Sequence, residues 1–247
     1  MTQEELLATD YEMNISEALN ASWDVFQRNV GIVLGASILV FVAMIAANSI
    51  PYLSMITGLL LTGPLWGGLW YFFIRVNRGQ DAAVGDAFAG FSRGFWQLVL
   101  VNIVQSILTF ICMLPVFLVL VSIFGMAILV DQANASPSME FGAAGAILLV
   151  GAMIVSFAGV MFLTTIWLYS LALVVDKGLV FWDAMELSRK MVLKHFWGTF
   201  LLLFVTWLLS FVGVLLCVVG LLVTGPVAFG AWVWHYEKIF ANLRAEM

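Results

Sequence analysis

The chain has 247 residues, of which 63% are apolar and only 10% charged, with a net charge of −5 and a mean hydropathy of +1.06. A soluble domain carries about 25% charged residues, so this composition excludes an ordinary soluble protein, and the lack of any basic run excludes a nucleic-acid partner. Cys112 and Cys217 both lie in apolar runs, which leaves no disulfide framework and no thiolate zinc site.

In chain order, residues 1–13 read as an acidic tail of the mature protein, either solvated or meant for a protein partner. Glu4, Glu5, Asp10 and Glu12 precede any basic residue, unlike the basic start of a cleavable signal. The rest, 14–247, reads as a single membrane domain. Asn14 with Glu17 three residues on is a capping-box pattern, and it opens a predicted interfacial amphipathic helix over 15–28. Ile15, Ala18, Leu19, Ser22 and Phe26 share one face of that helix. Val30 to Ile50 carries no charge and is about 31 Å long as a helix, enough for a hydrocarbon core of about 30 Å. A tight turn at Pro51-Tyr52 leads to a second span over 53–74. That span exits through Trp66, Trp70 and Tyr71 into Arg75 and Arg78, an aromatic belt followed by positive charge.

Residues 79–94 predict a second interfacial helix, with Val84, Ala87, Phe88, Phe91 and Phe95 on its apolar face. Two uncharged runs follow, 95–130 and 141–175, joined by a polar linker at 131–140. Each is about 54 Å as a helix, too long for one upright span. Two tilted or kinked helices are expected, bent at Pro115 and Gly159; splitting both would give eight spans instead of six. The third interfacial helix is the clearest: Phe181, Ala184, Met185, Ser188, Met191, Val192 and His195 form one face, opposite Asp183, Glu186, Lys190 and Lys194. A span over 196–216, a turn near Cys217–Val219 and a last span to Trp234 complete the chain. The expected fold is therefore all-α and polytopic, about six transmembrane helices with three amphipathic helices at one face. Every basic residue then falls on one side, which the positive-inside rule makes the cytoplasm. The expectation is a multi-pass protein of the inner (plasma) membrane with both termini cytoplasmic.

One stretch is written twice. Gly58-Leu59-Leu60-Leu61-Thr62-Gly63-Pro64 returns as Gly220-Leu221-Leu222-Val223-Thr224-Gly225-Pro226, and at the same offset Gly68 and Trp70 match Gly230 and Trp232. The match extends to Ala18, Ser22, Arg28 and Asn29 against Ala184, Ser188, Lys194 and His195. The chain so divides into repeat-like units 14–78, 79–175 and 176–240. All start on the same side, which makes them parallel repeats, unlike the inverted repeats of many carriers.

The span ending Leu173-Val174-Val175-Asp176, the helix with Ala184, Ser188, Arg189 and Lys190, Lys194-His195-Phe196 and the last-span Gly-Pro carry a resemblance. They resemble a group of uncharacterised bacterial six-helix inner-membrane proteins, similar to the membrane domain attached to some glycerophosphodiester phosphodiesterases. The resemblance implies fold and location over roughly residues 15–240 and implies no catalytic residue, since the hydrolase part is not in this sequence.

Two features are candidate sites. Thr62, Gly63, Pro64, Thr224, Gly225 and Pro226 would interrupt two spans, since a proline frees the carbonyl four residues earlier; Thr62 and Thr224 could bond back to Gly58 and Gly220. This is either a pair of kinks with close packing or the lining of a path. Asn102, Gln105 and Thr109, with Cys112, form a polar seam that reads as interhelical hydrogen bonding or as a lining. No Asp, Glu, Lys, Arg or His lies deep in any span, which argues against proton relays and intramembrane enzymes. His195 and His235 at span ends read as interfacial packing, so neither a cofactor nor a metal is expected. The resulting expectation is a non-enzymatic scaffold or accessory subunit in the lipid bilayer, with a membrane-protein partner or as a homo-oligomer. The alternative is a channel or transporter for a small or amphiphilic molecule.

Overall fold

The computed structural model describes residues 5–6, 14–49, 54–132, 139–215 and 217–243. Most of the acidic tail, the Pro51-Tyr52 turn and most of the 131–140 linker lie outside the described residues. The described elements are α1 (Ile15–Arg28), α2 (Val30–Asn48), α3 (Ser54–Asn77), a 3-10 helix (Val84–Phe91), α4 (Phe95–Gln132), α5 (Met139–Ile166), α6 (Ser170–Lys177), α7 (Phe181–Lys194), α8 (Phe196–Leu215) and α9 (Cys217–Phe240). Among the described residues five helical stretches are long and apolar enough to cross a membrane: Val30–Ala47, Ile56–Asn77, Phe95–Ile128, Ala143–Lys177 and Phe196–Leu215. The protein is thus a helical, multi-pass membrane protein.

The chain falls into two compact units, Met1–Ile103 with Thr165–Met247, and Val104–Thr164. In the second, the helices pair antiparallel through small residues. A Cβ on Gly159 would lie 3.0 Å from Cys112 Sγ, and one on Gly145 would lie 3.6 Å from Ile123. Large side chains such as Phe117, Phe124, Ile147 and Ile154 are exposed, as lipid-facing residues are. Helix α4 continues through Pro115 and α5 through Gly159. The expected bend at Gly159 is replaced by a break at Trp167–Tyr169, in the first unit, where a buried serine can satisfy the interrupted backbone.

The first unit is built around α3. Of its apolar window 61% is buried, against 22% for α2 and 28% for α8. Local chemistry sets the boundaries. Asn14 Oδ1 accepts from the Glu17 N–H at 3.2 Å and starts α1. Asn29 ends it, its Nδ2 reaching back to the Val25 carbonyl at 2.9 Å. A single residue in non-helical conformation, Asn29 at φ −128°, therefore separates α1 from α2, and His195 at φ −128° does the same between α7 and α8. At the other ends, Gly79 (φ 65°) and Gly178 (φ 73°) adopt the left-handed conformation that stops α3 and α6. Arg78 and Asp176 are thereby brought to the ends of neighbouring helices.

Each polar helix docks on a different apolar helix. α1 packs on α9, the 3-10 helix on α3, and α7 on α6. A small residue makes each approach. Ser22 Oγ donates to the Val227 carbonyl at 2.6 Å, and Ser188 Oγ donates to the Ile166 carbonyl at 2.9 Å. Gly90 lies directly over the Pro64 carbonyl, where a Cβ would come within 2.0 Å of the oxygen. The interfacial helix expected over 79–94 is a 3-10 helix over Val84–Phe91, and its approach to α3 is backbone to backbone. Gly68, on α3, is so close to Ala87 that a Cβ would lie 2.1 Å from its carbonyl oxygen. Arg75 fixes the connecting loop, pairing with Asp86 at 2.8 Å.

Several expectations shift. The second span runs on to Asn77 and the last helix to Phe240. The turn expected at Cys217–Val219 is already helix α9. Trp70 is no belt residue: it is 3% exposed, packed on Tyr169, Phe229 and Tyr236, because α3 is the helix its neighbours surround. Both α3 and α9 remain helical through Pro64 and Pro226, so neither Thr-Gly-Pro ends its helix.

Candidate functional site

Three helix ends converge on one charged cluster. The Arg78 guanidinium, just past α3, grips Asp176 of α6 through two hydrogen bonds of 2.7 and 2.8 Å, the bidentate geometry that suits a planar fork. Its Nη2 also pairs with Glu237 of α9 at 2.8 Å. Tyr236 donates its hydroxyl to Asp176 at 2.9 Å. Lys177 lies 3.6 Å from the same carboxylate and donates to the Leu243 carbonyl at 3.0 Å, which ties down the chain beyond α9. Two cations and two anions leave the cluster neutral. Asp176 is 6% exposed and Arg78 29%. The Asp176 hydrogen bonds raise the Arg78 pKa above its ordinary value, against the opposing effect of burial. Beneath the charges lies an aromatic floor: Tyr169 packs on Trp70, Tyr236 and Phe240, and its hydroxyl meets Nδ1 of the fully buried His235. Among the described residues no group of three His, Cys, Asp or Glu side chains could hold a metal ion.

The two Thr-Gly-Pro copies have different surroundings. In the first, Gly63 is pressed on α4, where a Cβ would lie 2.4 Å from the Leu98 carbonyl oxygen, and Pro64 lies under Gly90. Asn102 Nδ2 donates to the carbonyls of Leu59 and Gly58 at 3.0 and 3.4 Å. The polar seam is therefore an interhelical bond at Asn102. The boundary between the two compact units falls between Asn102 and the half-buried Gln105 and Thr109. In the second copy, Thr224 Oγ1 is enclosed beside Gly213 and has no hydrogen-bond partner among the described residues, so the expected bond back to Gly220 is not made. Gly225 and Pro226 line a partly open cavity of about 150 Å³, together with Ser37, Phe41, Trp66 and Ser210. Thr62, Gly63 and Pro64 do not line it.

Ser188 holds the break between α5 and α6. Its hydroxyl donates to Ile166 and accepts from the Tyr169 N–H at 3.3 Å, fully buried. Ser188→Ala should remove both bonds and cost about 1–3 kcal/mol. A detergent unfolding curve unchanged by the substitution would refute this role.

Sequence reasoning did not assemble the Arg78–Asp176–Glu237 cluster. A signal was present: Asp176 and Glu237 each close a long uncharged run, and Arg78 lies three residues past Arg75, which closes another. Their mutual pairing depends on helix packing and not on spacing. Comparison with protein-family models, curated proteins and solved structures returns no match to this chain.

Proposed function

We infer that the protein is a non-enzymatic scaffold or accessory subunit of a membrane complex, a six-span bundle with both termini in the cytoplasm. The observation that carries this reading is the self-neutralised Arg78–Asp176–Glu237 cluster. Charged groups brought together at the ends of three helices are spent on one another, which suits a fixed clasp better than an ion site or a catalytic centre.

The docking order supports the parallel repeats. The first repeat's polar helix covers the last helix of the third repeat, the second covers that of the first, and the third covers that of the second. This order of docking is compatible with the resemblance to the membrane domains attached to phosphodiesterases. The exposed tryptophans Trp23, Trp182 and Trp197 and the charged face of α7 offer contacts to headgroups and to a partner.

Mild detergent extraction should recover the protein with a stoichiometric partner or as a homo-oligomer; a lone monodisperse monomer would count against the reading. Transport is the second reading, and the cavity beside Gly225 favours it on one side only. In a cysteine-free background, Thr62→Cys and Thr224→Cys are expected to resist a membrane-impermeant thiol reagent. Rapid labelling at both would replace the scaffold reading with transport.

A further inference from the structure

The cavity beside Gly225 and Pro226 offers almost nothing polar. Ser210 Oγ is committed to the Thr206 carbonyl of its own helix at 2.9 Å, and Trp232 Nε1 donates to Thr206 Oγ1 at 2.8 Å. Ser37 supplies one further hydroxyl, too little to hold a charged or sugar-like group.

Space is left where the sequence repeat would predict contact. A Cβ on Gly225 meets no atom within 4 Å, whereas its counterpart Gly63 is pressed against Leu98. The small residue in the second copy therefore opens a void, and the same residue in the first closes a joint.

The surroundings of the opening fix what can reach it. Phe41, in the cavity wall, is 41% exposed. Around it Ile38, Val42 and Ile45 of α2 are exposed, as are Trp207 and Phe211 of α8, and both helices are candidate membrane spans. With both helices in the bilayer, an opening at Phe41 would meet hydrocarbon.

A dry apolar cavity of about 150 Å³ is large enough to take benzene or xenon. At about 30 Å³ per group, the liquid volume of a water molecule, it holds on the order of five methylenes. Lipid tails are as apolar as leucine, so the gain comes from dispersion contacts with an otherwise empty wall rather than from escape from water.

We propose that this cavity binds the acyl chain of a bilayer phospholipid, which enters at Phe41 and lies against Gly225 and Pro226. The test uses the full chain in phosphatidylethanolamine–phosphatidylglycerol vesicles containing a little phosphatidylcholine with a diazirine at mid-chain. Light should place adducts on Phe41 and on segments 205–215 and 221–232. Gly225→Leu fills the void and should lower the adduct yield there at least fivefold. Gly31→Leu, at an exposed glycine also without neighbours within 4 Å, should leave it unchanged. Ser210→Leu is a second filling variant, and it carries the test if gel filtration shows Gly225→Leu to be misfolded. Equal labelling in wild type and in a folded filled variant would overturn the proposal, as would adducts spread over all exposed faces without enrichment.

Discussion

Gly90→Ala is expected to abolish most of the folded protein recovered from detergent, while Gly85→Ala in the same 3-10 helix is not. A Cβ at position 90 would lie 2.0 Å from the Pro64 carbonyl oxygen and 2.9 Å from the Gly68 nitrogen, whereas at 85 it meets nothing within 4 Å. The obstacle is backbone, so no rotamer change relieves it, and the 3-10 helix must lift off α3. Overpacking typically costs about 1–3 kcal/mol and occasionally more; with rigid groups on both sides the loss should reach on the order of 3 kcal/mol. Gly68→Ala, 2.1 Å from the Ala87 carbonyl oxygen, should behave like Gly90→Ala. The same logic splits the two Thr-Gly-Pro copies: Gly63→Ala should be damaging and Gly225→Ala neutral. Fluorescence-detected gel filtration after extraction reads all five. Equal recovery of Gly90→Ala and Gly85→Ala would show that the helix does not sit on α3 as described.

The second large effect belongs to the clasp. Arg78→Met should lower stability by about 2–3 kcal/mol, below the roughly 3–5 kcal/mol for breaking a fully buried pair, because Arg78 keeps 29% of its surface. Asp176 would retain Lys177 and Tyr236, which softens the loss. The double variant Arg78→Met/Asp176→Asn should recover part of it, since removing both charges leaves neither stranded. By contrast, Arg189→Ala removes an exposed i,i+3 partner of Glu186, and little should change. Thermal unfolding of the detergent-solubilised protein decides. An Arg78→Met midpoint no lower than that of Arg189→Ala would reduce the clasp to a surface pair.

The polar helices were legible because their signals are local. Asn14 capping Glu17, the Ala18–Ser22–Phe26 face and the Ala184–Ser188–Met191 face all follow from 3.6-residue periodicity within one helix. The same holds for the spans: uncharged runs of sufficient length cross a membrane whatever they pack against. Even the helix junctions at Asn29 and His195 fall where the sequence turns from polar to uniformly apolar.

Inside the bilayer that logic fails. Lipid and protein core are equally apolar, so the pattern around a spanning helix does not reveal which side faces in. Trp70, read as a belt residue, is therefore core, and Trp66 lines a cavity. Heptapeptides that differ only at Leu61 against Val223 end in opposite surroundings because their neighbours differ: Leu98 and Gly90 crowd the first, and Gly225 of the second is left open. Arg78, Asp176 and Glu237 meet only when three helices stop at one level and turn their last residues together. Membrane crossing, polar faces and the internal repeat are properties of residues a few positions apart or of direct comparison along the chain. The clasp, the glycine joints and the cavity arise from contacts between distant segments, where packing geometry chooses among arrangements that composition leaves equally favourable.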